Sequence, residues 1–300
     1  MLQCQNLAKS YGSNHALKPL DLTLEKGKPL ALVGPNGAGK TTLFGLICGF
    51  IHPSKGSIQV LGHAPDHPEL KGKLAALPQD AQLDPRFSIG KQLILYARLQ
   101  GMNKGEARDE ARRVLSLVDL GDAFDHKPSQ LSHGMRKRAC IAQTFIGEPE
   151  LILLDEPTAG LDPLNAKVIR ELILAHKHKI NFIISSHNLY ELEDLCGQVI
   201  YLEKGQITQH SDLTQDSPSG EDHLSLHLDA QAENLTPLQD IEGIEEVKAL
   251  GEGKYLLRYN ATRYPKMDIQ LLEVLHEHKL RYRQLTQGMS LEDKLFSTQS

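Results

Sequence analysis

Three short stretches of the chain consist almost entirely of apolar residues, without polar residues at alternate positions. They are residues 29–33 (PLALV), 151–155 (LILLD) and 181–186 (NFIISS). Strands buried on both faces have this composition, and such strands are typical of parallel sheets. The pattern therefore predicts three buried strands in one parallel sheet.

Helical spacing occurs between these runs. Apolar residues recur every three or four positions in residues 41–50, 106–120 and 136–146, which predicts three helices. Residues 199–208 (VIYLEKGQIT) predict a hairpin around Lys204 and Gly205. The repeated order of strand, turn and helix favours an α/β fold with a doubly wound sheet.

The pattern changes after residue 212. Residues 213–222 are rich in Ser, Asp, Pro and Gly, so we interpret them as a linker between domains 1–212 and 223–300. In the second domain, strand-like and helical segments follow in the order βαββαβ, which predicts a small α+β domain. The predicted strands are 223–230, 244–250, 254–260 and 280–286, and the predicted helices are 235–243 and 266–279.

Composition and charge narrow the classes of protein to which the chain can belong. The net charge of −5 gives no overall basic field, so we expect no nucleic-acid partner. No run approaches the roughly 18 apolar residues that span a bilayer, and the N-terminus lacks the apolar segment of a secretory signal. The four cysteines are far apart and form no CxxC pair. We therefore expect buried, reduced thiols in a cytoplasmic protein.

The first candidate for chemistry follows the predicted strand 29–33. Residues 34–41 (GPNGAGKT) match G-x-x-x-x-G-K-[ST] between a strand and a helix. Glycines let successive N–H groups turn towards one anion, and the helix N-terminus adds partial positive charge. Lys40 is then placed to reach the β- and γ-phosphates, and the Thr41 hydroxyl to bind Mg²⁺. An ordinary Gly-rich turn is the alternative.

Two adjacent carboxylates end the predicted strand 151–155. In a protein with such a phosphate loop, an Asp at this position holds Mg²⁺, which suits Asp155. Glu156 beside it is suited to orient or deprotonate the attacking water. The alternative is an acidic N-cap for the next helix.

Further short motifs accompany these two in a fixed order. They are KSYG with Tyr11, LPQDAQL with Gln79, LSHGMRKR (residues 131–138), AGLDP (residues 159–163) and SSHNLYELE with His187. Together with the phosphate loop and the carboxylates, they make residues 2–210 resemble the ATP-binding subunit of ABC transporters.

The resemblance implies a P-loop NTPase domain of the ABC type with a helical signature subdomain, and ATP and Mg²⁺ as its ligands. It implies catalytic roles for Glu156, His187 and Lys40, and Mg²⁺ contacts for Thr41, Gln79 and Asp155. The residues implied to contact nucleotide are Tyr11, Gly34, Pro35, Asn36, Gly37, Ala38, Gly39, Lys40, Thr41, Thr42, Gln79, Ser132 and Gly134.

The signature departs from the commonest family pattern, LSGGQ. His133 replaces the first glycine and Met135 the glutamine, whereas Ser132 and Gly134 remain. This variant and the closing segment GMSLEDKLFSTQS resemble bacterial exporter subunits of the drug, polysaccharide and cofactor-export type. We interpret the basic run 136–138 as the solvated face of a helix.

The resemblance also implies partners. One P-loop and one signature form halves of two different sites, so a second ATPase subunit, in the simplest case a second copy, is expected. Separate transmembrane permease subunits would dock near residues 79–131 and hold the chain at the inner face of the cell membrane. Three alternatives stay open: a non-transport ABC ATPase, an import ATPase with a regulatory tail, and a scaffold that only binds ATP.

Overall fold

The structure is a computed structural model that describes residues 1–27, 29–186, 192, 195–212, 221–229, 235–251 and 253–289. The chain divides into two units, Met1–Leu213 and Thr214–Ser300. Most of the predicted linker 213–222 lies outside the described residues, so the domain boundaries stay a prediction. A strand already begins at Glu221, within that predicted linker.

The first unit contains two sheets and the helices between their strands. Its strands are β1 (Leu2–Tyr11), β2 (Asn14–Leu24), β3 (Leu30–Val33), β4 (Lys55–Val60), β5 (Leu74–Leu77), β6 (Leu151–Asp155), β7 (Asn181–Ser185), β8 (Gln198–Glu203) and β9 (Gln206–Asp212). Its helices include α1 (Lys40–Ile47), α2 (Ile89–Leu99), α3 (Lys104–Ser116), α4 (His133–Ala142) and α5 (Pro163–His176).

The larger sheet is the predicted parallel one. Its strand order is β5-β6-β7-β3-β8-β9, with β5, β6, β7, β3 and β8 parallel and β9 antiparallel to β8. Every residue of β3, β6 and β7 is buried, as the uninterrupted apolar runs predicted. The predicted hairpin around Lys204 and Gly205 is also confirmed, as β8 and β9.

The smaller sheet has no counterpart among the predicted elements. It is antiparallel with the order β2-β1-β4. Its buried leucines share one core cluster with side chains of α1 and of the parallel sheet, among them Leu7, Leu46 and Leu153. Helix α1 therefore contributes to a core that both sheets line, and the loop before α1 lies between them.

Two helices begin earlier than their apolar spacing predicts, because capping residues precede the periodic positions. Helix α3 begins at Lys104. Its first turn is capped by Asn103 and Glu106, which form a reciprocal capping box. Helix α4 begins at His133, where the Ser132 hydroxyl accepts a hydrogen bond from the Met135 N–H at 3.2 Å.

The prediction that residues 136–138 form a solvated face is wrong. Arg136 donates through Nη1 to the carbonyl oxygen of Leu131 at 2.5 Å, and Arg138 donates through Nη1 to that of Val118 at 2.6 Å. All three basic side chains are half-buried. They fasten α4 to neighbouring segments, because backbone carbonyls that lack a partner in regular structure need a donor.

The second unit has the predicted order βαββαβ. Its strands form one antiparallel sheet in the order β11-β12-β10-β13, with the helices packed on one buried cluster that includes Leu226, Leu257 and Leu271. This order is that of a split-βαβ, ferredoxin-like domain. The elements are β10 (Glu221–Leu228), α6 (Thr236–Gln239), β11 (Ile244–Gly251), β12 (Lys254–Asn260), α7 (Met267–Glu277) and β13 (Tyr282–Gln287).

The four cysteines are free thiols, as expected. Cys4, Cys140 and Cys196 are buried, and Cys48 is partly exposed. Burial raises the pKa of Cys4, Cys48 and Cys196 to about 12, so these thiols stay protonated near neutral pH.

Leu153→Ala should destabilise the chain more than an exposed leucine-to-alanine change. Leu153 is 0% exposed in β6, whereas Leu99 at the end of α2 is 60% exposed. We expect Leu153→Ala to lower the free energy of unfolding by about 2–5 kcal/mol and Leu99→Ala by less than about 0.5 kcal/mol. Urea unfolding followed by circular dichroism measures both. Equal losses would contradict the assignment of β6 to the core.

Candidate nucleotide site

A tight loop connects β3 to α1 and forms the centre of the site. Its glycines adopt positive φ angles, +152° at Gly34, +78° at Gly37 and +110° at Gly39. The Ala38 N–H donates to the Pro35 carbonyl oxygen at 3.1 Å, which closes the turn. Side chains are disfavoured at such angles, so the sequence GPNGAG suits this path of the backbone.

The loop lies directly against the backbone of neighbouring strands. A Cβ atom at Gly34 would overlap the carbonyl oxygen of Leu202 in β8. One at Gly39 would lie 2.7 Å from the carbonyl oxygen of Ala16 in β2. Glycine is therefore required here by contact as well as by backbone angle.

Lys40 begins α1 and turns back over the loop. Its Nζ donates to the carbonyl oxygens of Gly34 at 2.6 Å and Pro35 at 3.1 Å. The N-cap residue Gly39 has no side chain with which to cap the helix, so the first-turn N–H groups are left for an external acceptor. A helix start of this kind, with a lysine beside it, favours a phosphate group.

The carboxylates Asp155 and Glu156 are held by the end of the next strand. Ser185 in β7 donates its hydroxyl to Asp155 Oδ1, and its Oγ and carbonyl oxygen accept from the Glu156 N–H at 3.2 and 3.1 Å. Asp155 is 4% exposed and Glu156 8%. Glu156 has φ of +49°, an unusual angle for this residue type that these bonds help to fix.

The loop and the carboxylates line one cleft of about 910 Å³. Of the predicted site residues, those of loop 34–42, Tyr11, Gln79, Asp155 and Glu156 all line this cleft. Tyr11 ends β1 with 50% of its surface exposed, and Lys9 Nζ lies 5.0 Å from its ring centroid. Half of the tyrosine surface is thus exposed at the edge of the cleft, and the Lys9 ammonium lies over one face of the ring.

The oxygen atoms of the cleft fit a magnesium ion that is bound together with phosphates. Thr41 offers a hydroxyl, Gln79 an amide oxygen and Asp155 a carboxylate, and all three line the same cleft. Mg²⁺ is usually held by one or two carboxylates plus water and phosphate oxygens. Among the described residues, no group of three or more His, Cys, Asp or Glu side chains could hold a metal ion alone.

Sequence reasoning missed the residues that close the other side of the cleft, namely Asn14, His15, Ala16, Lys204 and Gly205. The Gly205 N–H donates to the Ala38 carbonyl oxygen at 2.9 Å, and the Lys18 N–H donates to the Gly205 carbonyl oxygen at 2.9 Å. The β8–β9 turn was recognisable in the sequence. Its contact with a loop more than 160 residues earlier left no local signal.

Ser132 and Gly134 lie apart from this cleft, at the start of α4. A Cβ atom at Gly134 would lie 2.5 Å from the side chain of Asn165 in α5. Asn165 in turn donates through its N–H and Nδ2 to the Asp162 carboxylate at 3.0 and 2.6 Å, and these bonds lower the pKa of Asp162. The signature segment therefore packs on the first turn of α5, directly after the segment AGLDP. His187, the remaining predicted site residue, lies outside the described residues.

Comparison with known proteins agrees with this geometry. The family model described as "ABC transporter" matches residues 17–159. An uncharacterized ABC transporter ATP-binding protein of Bacillus subtilis, YhaQ, is 32% identical over 84% of this chain and 84% of its own length. The chain belongs to the ABC transporter ATP-binding family.

Two further relatives differ in how much of the chain they match. The Nod factor export ATP-binding protein I of Cupriavidus metallidurans is 30% identical over 98% of this chain and 95% of its own length. The methionine import ATP-binding protein MetN 1 of Acinetobacter baylyi is 32% identical over 69% of this chain and 62% of its own length. Among solved structures, the dimeric ATP-binding cassette MJ0796 bound to ADP and Pi superposes with a TM-score of 0.66, at 25% identity, covering 72% of this chain and 100% of that one.

The first unit is thus an ABC ATPase cassette, and the chain is an ATP-binding subunit of an ABC transporter whose reaction is ATP hydrolysis. Subunits of this family work with transmembrane permeases, and the cassette MJ0796 forms a dimer. None of the helices within the described ranges is long and apolar enough to cross a bilayer.

Gly34→Ala should weaken nucleotide binding through the contact with Leu202. Gly62→Ala is a matched control, because Gly62 also has positive φ, +86°, but a Cβ atom there meets nothing within 4 Å. We expect a more than about tenfold rise in the Kd of a fluorescent ATP analogue for Gly34→Ala, since the loop must move to relieve the overlap. Equal Kd values for both variants would contradict the role given to this contact.

Proposed function

We propose that the cleft binds Mg²⁺ and ATP, with the phosphates in loop 34–42. Lys40 would exchange its carbonyl acceptors for the β- and γ-phosphates, and the ring of Tyr11 would stack on adenine. Thr41, Gln79 and Asp155 would hold the magnesium ion. Bound Mg²⁺ neutralises charge on the phosphate oxygens. The main support for this proposal is that the phosphate loop and the Asp155–Glu156 pair line the same cleft.

Glu156 is the proposed group that orients the attacking water and accepts its proton. Glu156 lines the cleft directly after the buried strand β6, and its backbone N–H donates to Ser185 in β7. A buried, fixed carboxylate can direct a water molecule in line with the γ-phosphate. His187 follows β7 closely in sequence, and its contact with the γ-phosphate stays a prediction.

A second ATPase subunit is needed in this proposal, and a second copy of the chain is the simplest one. Ser132 is exposed at the start of α4 and lies outside the cleft that holds the phosphate loop, so it is free to meet the nucleotide of another subunit. The Gly134 N–H belongs to the same first turn. A helix N-terminus with a serine hydroxyl is suited to a γ-phosphate.

The proposed membrane partner is a separate permease, which would place the chain at the cytoplasmic face of the cell membrane. Residues 79–131, where the family docks its permease, contain three large apolar side chains that are about half exposed or more. They are Phe87, Leu95 and Leu99. Apolar side chains that stay exposed are available for burial against a partner.

Export is the proposed direction of transport. The support is the Nod factor export relative that matches 98% of this chain and so includes the second unit. The signature variant with Met135 agrees with it. A non-transport ABC ATPase is the alternative, and the identity of the partner decides between them.

Glu156→Gln should keep ATP binding and lose hydrolysis, because glutamine keeps the shape of the side chain but cannot accept a proton. We expect kcat to fall by more than about 100-fold while the Kd for ATP changes less than about threefold. The variant should also form a stable dimer with ATP, visible by size-exclusion chromatography with light scattering. Rapid hydrolysis by Glu156→Gln would rule out the proposed base.

Tagged Glu156→Gln protein should recover its permease from detergent-solubilised membranes of the native host in the presence of ATP. We expect a polytopic membrane protein in stoichiometric amount, identified by mass spectrometry. Lys40→Ala, which should bind phosphates poorly, is the control for ATP-dependent recovery. Export is then measured as ATP-driven uptake of the cargo into inside-out vesicles. A soluble partner in place of the permease would favour the non-transport alternative.

A further inference from the structure

Lys137 connects the signature helix to the loop of Gln79. It lies on α4, four residues after His133, and is half-buried. Its Nζ donates to the backbone carbonyl oxygen of Gln79 at 3.5 Å. The two residues also line one side cavity of about 420 Å³, together with Asp80 and Ala159. This lysine therefore joins the helix that begins at Ser132 to a loop of the nucleotide cleft.

The surroundings of Lys137 are partly apolar. Burial lowers the pKa of Lys137. Cys140, which lines the same side cavity, stays protonated near neutral pH because burial raises the pKa of its thiol to about 11. The polar contact that the ammonium group makes here is the one with the Gln79 carbonyl oxygen.

Lys137 does not contact the nucleotide cleft itself. It is absent from the residues that line that cleft within the described chain, whereas Gln79, Asp155 and Glu156 all line it. Its neighbours on the helix serve other contacts, since Arg136 and Arg138 donate to carbonyl groups of Leu131 and Val118. Any effect of Lys137 on the reaction must therefore pass through the residues that it holds.

We propose that Lys137 is a positioning residue for ATP hydrolysis, which holds the Gln79 loop against α4. This inference rests on the proposed function, because it needs Gln79 at the metal ion and Glu156 at the water. A residue of this kind changes the rate of the chemical step. It does not change the contacts that bind nucleotide in the ground state.

The test compares Lys137→Met with Lys137→Arg in the full chain. Methionine keeps an unbranched side chain of similar length without charge, and arginine keeps the positive charge and the ability to donate. Lys167→Met is the matched control, because Lys167 lies on α5 and its side chain is 63% exposed. For each variant, kcat and KM for ATP, the Kd of a fluorescent ATP analogue and the midpoint of thermal unfolding are measured.

We expect Lys137→Met to lower kcat about tenfold with KM and Kd changed less than about twofold, since a charge-assisted contact is lost only at the Gln79 loop. Lys137→Arg should recover at least about half of the wild-type kcat. Lys167→Met should match the wild type. If Lys137→Met unfolds at a much lower temperature, Lys137→Gln provides the same comparison with a shorter polar side chain.

Three outcomes would overturn the inference. The first is a wild-type kcat in Lys137→Met. The second is a loss of kcat that arginine does not restore, and the third is a change in KM and Kd as large as that in kcat, because these mark a role in packing or binding. Failure of the proposed function gives a different result, because Glu156→Gln would then hydrolyse ATP at the wild-type rate.

Discussion

The site depends on the close contact between the glycine backbone of the phosphate loop and the backbone of two neighbouring strands. Gly34 lies against the carbonyl oxygen of Leu202, and Gly39 lies against that of Ala16, so the loop is placed by two strands from different sheets. Gly205 adds a hydrogen bond to Ala38. The antiparallel sheet therefore contributes to the nucleotide cleft directly. Without both sheets, the glycines would leave the loop flexible, and nothing would fix its position.

A second set of contacts fixes the reacting groups relative to that loop. The Ser185 hydroxyl joins the Asp155 carboxylate to the backbone of Glu156, so two adjacent strands of the parallel sheet fix one carboxylate pair. Lys137 on α4 donates to the carbonyl oxygen of Gln79, which lines the same cleft as the pair. A shift of the helix that begins with the signature would therefore act on the Gln79 loop.

Local patterns in the sequence predicted the parts of the molecule that depend on local causes. Strands such as Leu151–Asp155 are buried on both faces, so their apolar runs identify them. Strand β1 was missed because register shifts after Cys4 and Leu7 break its alternation. The basic run was misinterpreted, and the turn at Gly205 was not assigned to the cleft, because their partners lie in distant segments. The spacing of residue types along the chain does not reveal such contacts.

The bonds of Lys40 have a consequence for how fast and how tightly nucleotide binds. Because Lys40 bridges the carbonyl oxygens of Gly34 and Pro35, the loop has its closed geometry through bonds of its own. Preorganisation of this kind means that little conformational entropy is lost when a ligand arrives. Association then involves an exchange of acceptors by one ammonium group, and discrimination among phosphate ligands rests on how well each replaces two carbonyl oxygens.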